Sequence, residues 1–204
     1  MKLPKNKYFA SRHVSVSRRD VADIKAFEIA HPETGSGLER YLKRQALFDE
    51  HSGVMRTYLV RLKRIGECVG YFSLKAGLVS LNEERASNGI TFDTVPGVEL
   101  ANFAINNTFA QKHNAKGLGY LLFSGLITPF VLEHAKTLGI YMIYLFALPY
   151  ERLMKTYESY GFHRLPAKAE DQLYQRLKPA YDESCIFMYH QPARCTFAHA
   201  CGRE

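Results

Sequence analysis

Three groups of residues in this 204-residue chain have types and spacings that can do chemistry. The first is Lys112-His113-Asn114-Ala115-Lys116-Gly117-Leu118-Gly119, just ahead of a helical pattern that starts near Gly117 and runs toward Leu138. Consecutive backbone N–H groups from Ala115 to Gly119 at a helix N-terminus can point at a phosphate, where the helix adds roughly half a positive charge. Glycine permits the close approach that a Cβ would block, and Lys112, His113 and Lys116 can add charge-assisted contacts. Taken alone, two glycines more often mark a turn that merely starts a helix. The second is Glu99, in the strand-like run Val98-Glu99-Leu100-Ala101-Asn102-Phe103-Ala104-Ile105. A carboxylate on a rigid strand can serve as a general base, directly or through water, if partial burial lifts its pKa toward neutrality. The plainer reading is an exposed carboxylate in a salt bridge. The third is Tyr157, whose phenol, with an ordinary pKa of about 10, is protonated at neutral pH and can donate to a thiolate. The plainer reading there is a core aromatic on a short helix, with Tyr160 as its neighbour.

The elements that must position these groups can be read from periodicity. Ile140-Tyr141-Met142-Ile143-Tyr144-Leu145-Phe146-Ala147 is an unbroken apolar run after a Gly139 stop, which suits a parallel strand buried on both faces. With the strand before the glycine loop it forms a βαβ unit. Pro129, inside the long helix, removes a backbone donor and predicts a kink or a second helical segment. Glu151 to Tyr160 reads as a short helix ended by Gly161. Upstream, Val21 to Ile29 is predicted as a first strand, Gly35 to Asp49 as a helix, and Arg56 to Lys63 and Cys68 to Lys75 as a hairpin turning at 64–67. The polar stretch 77–97 lies between strands and can cover a substrate. Leu165 to Tyr181 is an insertion with a helical piece at 170–177, and Ser184 to His190 is the last strand. There is no internal repeat. A single domain over 1–190 and a tail over 191–204 are expected.

Lys and Arg number 27 against 20 Asp and Glu, a formal charge of +7 that favours anionic partners. The N-terminal arm (Lys2, Lys5, Lys7, Arg12, Arg18, Arg19) is locally more basic. It allows a nucleic-acid partner, although a solvated basic arm is the commoner explanation. The longest apolar run falls far short of the roughly 20 residues of a membrane span, and residues 1–10 do not form a secretory signal, so no membrane partner and a cytoplasmic location are expected. Cys68, Cys185, Cys195 and Cys201 do not make a disulfide framework. Cys195, His199 and Cys201 offer three ligands where a zinc site needs about four, so no metal is expected.

Together these residues resemble the GNAT superfamily of acyl-CoA N-acyltransferases. The resemblance is strongest over about residues 98–162 and extends weakly from Val21 to Met188. The family's loop, Gln or Arg, two residues, Gly, any residue, then Gly or Ala, is matched by Asn114-Ala115-Lys116-Gly117-Leu118-Gly119, with Asn114 in place of Gln or Arg. The family's Tyr followed four residues later by Gly-Phe is matched by Tyr157 and Gly161-Phe162, and its acidic strand residue by Glu99. The resemblance implies an α/β (α+β) GNAT fold, with a mixed, mostly antiparallel twisted sheet of about six or seven strands flanked by helices. It implies acetyl-CoA as acyl donor and transfer to a primary amine by direct attack in a ternary complex. Glu99 is then the base and Tyr157 the group that donates to the cofactor sulfur. Backbone from Ala115 to Gly119, with Asn114, Tyr120 and Lys112, meets the pyrophosphate. Phe103, Ala104 and Ile105 pair with the pantetheine arm as a strand edge pairs with a peptide. Many members carry Asn seven residues before the Tyr to bind that arm, and Tyr150 stands there instead.

Leu38-Glu39-Arg40-Tyr41-Leu42-Lys43-Arg44-Gln45-Ala46 and Val69-Gly70-Tyr71-Phe72 also resemble the N-terminal half of toxin-type members that acetylate aminoacyl-tRNA. The acceptor implied is therefore a small-molecule, peptide or aminoacyl-tRNA amine, with tRNA the lesser alternative, and a homodimer is allowed. A second alternative is a catalytically silent acyl-CoA-binding protein of the same fold.

Overall fold

A computed structural model describes residues 9–13, 17–80, 86–87, 90–91, 94–177 and 182–191. In chain order the elements are β1 (Phe9–His13), α1 (Arg18–Lys25), α2 (Pro32–Arg44), α3 (Ala46–Ser52), β2 (Arg56–Leu62), β3 (Cys68–Ser80), β4 (Ala86–Ser87), β5 (Ile90–Thr91) and β6 (Thr94–Ile105). They continue with α4 (Asn107–Lys112), α5 (Leu118–Leu122), a π-helical turn (Phe123–Ile127), α6 (Thr128–Leu138), β7 (Met142–Ala147), α7 (Glu151–Ser159), β8 (His163–Arg164), α8 (Ala167–Arg176) and β9 (Ile186–His190). The described residues form two compact units, one through Leu78 with Val98–Phe130, the other holding those of 79–97 and from Val131 onward.

In the first unit the strands run in the order β1, β2, β3, β6. β1 and β2 are antiparallel with Phe9 opposite Leu62, and β2 and β3 are antiparallel with Thr57 opposite Ser73. The hairpin from 56 to 75 thus forms where the alternation placed it. The core beneath is Phe27, Leu42, Ala46, Leu59, Cys68, Tyr71 and Ala104, with Ile24, Leu38 and Tyr41 packed against it. Gly70 is required by close approach, because a Cβ there would lie 2.6 Å from the Ala104 carbonyl oxygen.

The segment expected as a strand over 21–29 is instead mostly helix. Ser17 caps α1, its side chain accepting from the Asp20 N–H at 3.1 Å. Arg61 of β2 then ties that helix down, its guanidinium bonding to Asp20 at 2.7 Å, to Asp23, and to the Gly66 carbonyl at 3.0 Å. Asp20 and Arg61 are both buried, so each charge depends on the other. One further short helix, α4, precedes the glycine loop.

In the second unit β7 pairs antiparallel with β9, Tyr144 opposite Tyr189, and β8 pairs antiparallel with β9, His163 opposite Tyr189. Tyr141 N–H donates to Pro96 at 2.9 Å, setting the opening of β6 beside β7. β7 is buried at five of its six positions, on both faces, as its unbroken apolar run requires. Its core joins Val79, Met142, Tyr144, Leu173 and Phe187. The 77–97 stretch is less of a loop than expected. β3 runs on to Ser80 with Leu78 out and Val79 in, and β6 already begins at Thr94. Within 165–181, α8 starts at Ala167 immediately after Pro166, three residues ahead of the helical piece expected at 170–177.

Helical backbone is continuous from Leu118 to Leu138, long and apolar enough by length and composition to cross a membrane. Its buried residues Leu118, Leu122, Phe123, Ile127 and Val131 form one stripe, the pattern of a helix that packs one face. The π-helical turn answers the expectation raised by Pro129. Proline cannot donate to the carbonyl four residues back, and its ring crowds that carbonyl. The turn before it widens, and the Thr128 N–H reaches Phe123, five residues back.

Candidate active site

In each unit, some of the expected site residues sit at a helix end. In the first unit, α4 begins at Asn106, whose side chain accepts from the Thr108 N–H at 3.2 Å and donates to the Cys68 carbonyl at 3.0 Å. α4 ends in a Schellman motif. The Asn114 N–H bonds to the Gln111 carbonyl at 3.1 Å, and the Ala115 N–H to Ala110 at 2.9 Å. Asn114 is left-handed, with φ of 44°. Asn tolerates that conformation better than Gln or Arg, which gives a physical reason for the departure from the family's loop.

Gly117, at φ of 71°, then turns the chain into α5, and the Leu121 N–H makes the first helical bond, to Gly117 at 3.1 Å. Ala115 is already bonded, so the donor run narrows from the expected 115–119. Among the described residues, no bond engages the N–H groups of Lys116, Gly117, Leu118 or Gly119. A Cβ at Gly117 would meet nothing within 4 Å. Buried Leu118 and Leu122 anchor the helix behind the loop, while Tyr120 is exposed.

Lys112 and His113 do not reach toward these donors. Both are held by Glu67 of the hairpin turn, Lys112 on one carboxylate oxygen and His113 Nε2 at 2.6 Å from the other. The hydrogen bond from Lys112, with a second from His113, holds the Glu67 carboxyl below its usual range. Glu67 was not singled out in sequence, since nothing in the spacing ties a turn residue to a helix end 45 positions away.

Glu99 lies on β6 with its side chain 18% exposed, its carboxylate 4.0 Å from the Lys75 ammonium of β3. Burial along β6 changes parity between Gly97 and Leu100, and Glu99 falls at that irregularity. Further along, Ala104 is buried with its carbonyl toward Gly70 of β3. Strand alternation then directs the backbone groups of Phe103 and Ile105 away from β3.

In the second unit, Tyr157 belongs to another Schellman motif. The Gly161 N–H bonds to Glu158 at 2.9 Å and the Phe162 N–H to Tyr157 at 3.1 Å, with Gly161 at φ of 86°. The apolar contact that commonly completes this motif is Tyr157 on Phe162, ring centroids 5.7 Å apart at 72°. The Tyr-x-x-x-Gly-Phe pattern is therefore a helix stop whose geometry fixes the tyrosine ring. Burial, with a smaller contribution from Tyr160, pushes the Tyr157 phenol up to about 12. Among the described residues no hydrogen bond engages its hydroxyl. A phenol at about 12 cannot readily hand its proton to a thiolate whose thiol has an ordinary pKa near 8.5, but it can donate a hydrogen bond to that thiolate. Tyr150 is the exposed N-cap residue of α7. Seven residues before Tyr157, it shares that helix face. A cavity of about 510 Å³ opens on the other face, lined by Glu151, Arg152, Lys155, Thr156 and Ser159. Cys195, His199 and Cys201 lie outside the described residues.

No family model matches the chain, and no curated protein does. Solved structures do. One is a tyrosine-to-phenylalanine mutant of KacT, 17% identical with a TM-score of 0.64 over 91% of this chain and 95% of that one. Another is AtaT complexed with acetyl-methionyl-tRNAfMet, 16% identical with a TM-score of 0.62 over 90% and 94%. A third is AtaTR bound with acetyl-CoA, 17% identical with a TM-score of 0.63 over 91% and 94%. The chain has the GNAT fold, a mixed α/β architecture with mostly antiparallel strands and flanking helices. It shares this fold with KacT and the toxin AtaT.

Proposed function

We propose that the protein is an acetyl-CoA-dependent N-acetyltransferase. The observation that carries this reading is the run of four backbone donors, Lys116 to Gly119, open at the mouth of a long helix in a GNAT fold. That run suits the pyrophosphate of coenzyme A. Phe103 and Ile105 offer backbone to the pantetheine arm, and Tyr150 takes the place of the family's asparagine. In the reaction the acceptor amine, its ammonium proton removed by Glu99, attacks the thioester carbonyl. The C–N bond forms and the C–S bond breaks, the Tyr157 hydroxyl stabilises the departing thiolate by a hydrogen bond, and the proton that the attacking nitrogen loses as it becomes an amide passes through solvent to that sulfur, which leaves as the thiol. Stabilisation of developing charge by a positioned donor is consistent with the high pKa of that phenol.

Aminoacyl-tRNA is the acceptor class to test first. AtaT is complexed with acetyl-methionyl-tRNAfMet, and a formal charge of +7 favours a polyanionic acceptor. An enzyme of this kind works in the cytoplasm. The test is thiol release from acetyl-CoA with aminoacyl-tRNA, deacylated tRNA, peptides, lysine and polyamines. Release that depends on an amine supports the proposal and names the acceptor. Acetyl-CoA binding without release from any of them would favour the silent acyl-CoA-binding protein.

A further inference from the structure

His190, the last residue of β9, is 2.9 Å through Nδ1 from the carbonyl oxygen of Gly161. A carbonyl only accepts, so Nδ1 carries the hydrogen and donates. Gly161 is the left-handed residue of the motif that ends α7, and the two bonds of that motif use the carbonyls of Glu158 and Tyr157. The Gly161 carbonyl is left outside it, and His190 supplies its donor. The fit is close, since a Cβ on Gly161 would meet Nδ1 at 3.0 Å and Cε1 at 3.2 Å. The same imidazole packs on Phe162, centroids 5.6 Å apart at 45°. Phe162 is fully buried and is the ring against which Tyr157 rests. One side chain on a core strand therefore holds both the turn and the aromatic wall that set Tyr157. Tyr157 also meets the edge of Tyr160, ring centroids 6.1 Å apart at 88°.

We propose that His190 is a positioning residue for Tyr157, clamping the end of α7 so that the phenol hydroxyl is held where the leaving sulfur develops charge. This inference rests on the function proposed above. His190 acts through Gly161 and Phe162 and touches neither cofactor nor acceptor. A misplacement of about 1 Å in such a group can cost on the order of 10²-fold in rate, so releasing the clamp has a kinetic signature distinct from loss of fold.

The experiment is a double-mutant cycle, using the amine that the parent protein turns over fastest in the panel above. His190→Leu removes the donor and should lower kcat about tenfold, with KM for acetyl-CoA unchanged. His190→Asn, which keeps an N–H donor, should recover most of that loss. In a Tyr157→Phe background, His190→Leu should add nothing, because no hydroxyl remains to be placed. An equal further loss in that background, or a loss carried by KM, would overturn the proposal. If His190→Leu does not fold by thermal melt, His190→Phe, which keeps a ring on Phe162 but has no donor, takes its place in the cycle. A readout independent of turnover is the ring signal of Tyr157 in protein with 13C-labelled tyrosine. It should move in His190→Leu and return in His190→Asn, and an unmoved signal would overturn the positioning role. Absence of acetyl transfer by the parent would sink the proposed function while leaving the ring-signal result to stand or fall by itself.

Discussion

At the scale of single residues, the roles proposed for Tyr157 and Glu99 make different predictions. Tyr157→Phe keeps the ring that packs on Phe162 and removes only the hydroxyl. Its kcat should fall about 10²-fold, the usual range for loss of a positioned hydrogen-bond donor to developing charge, with acetyl-CoA affinity nearly unchanged in calorimetry. A kcat within twofold of the parent would return Tyr157 to packing alone. Because burial raises the phenol to about 12, it stays protonated through the working range, and no basic limb of the pH–rate profile should trace to it. Glu99→Gln should depress the rate most near neutral pH, with part of the loss recovered at higher pH, where more of the amine is already neutral. A carboxylate that only pairs with Lys75 would instead lower activity by a similar factor at every pH. The size of the effect also sorts acceptors. Aminoacyl α-amines, near 8, need less help than lysine-like amines, near 10.4. A weak dependence on Glu99 would therefore favour tRNA or a peptide N-terminus.

At the scale of elements, two helix stops of the same kind occur, one in each unit. The motif at Asn114 delivers the chain into Gly117 and the open donors of α5, and the motif at Gly161 sets Tyr157. The donors are best tested at Gly119, because Gly117 has a positive φ that any ordinary side chain would strain. Gly119→Asp adds both bulk and negative charge at the helix mouth. It should weaken acetyl-CoA at least tenfold, about 1.4 kcal/mol, in a folded protein measured by calorimetry. Unchanged affinity would mean that the phosphates bind elsewhere. The helix stop at Gly161 and the glycine loop were both legible in sequence, because glycine leaves a conformational mark. The Asn114 stop was visible only as an odd residue in a family pattern. Its structural meaning needed α4, a six-residue helix too short to show a period.

At the scale of the whole molecule, what periodicity could read was read well. The hairpin of β2 and β3, the buried β7 and the last strand β9 follow their hydrophobic patterns. What failed depended on contacts distant in sequence. The 21–29 segment looks extended until Arg61, some 40 residues away, claims Asp20 and Asp23 for α1. Glu67 with His113, and His190 with Gly161, were likewise invisible because tertiary structure alone makes them neighbours. The same burial that builds the aromatic core sets a limit in base. Tyr41, Tyr58, Tyr71, Tyr157, Tyr160 and Tyr174 are all raised above their ordinary value of about 10, chiefly by desolvation. For groups raised in the folded state, the stability they contribute is intact below the unfolded value and is lost as pH rises through the folded ones. Denaturant midpoints should therefore hold up to about pH 10 and fall steeply above it. The central claim, acetyl transfer to an amine, is tested most directly by incubating the protein with isotope-labelled acetyl-CoA and aminoacyl-tRNA or the other amines, then locating the label by mass spectrometry. The account predicts label in an amide on the acceptor, together with free coenzyme A, and much less of both from the Tyr157→Phe protein. Label that remains on acetyl-CoA with every acceptor, while the cofactor stays bound, would contradict it.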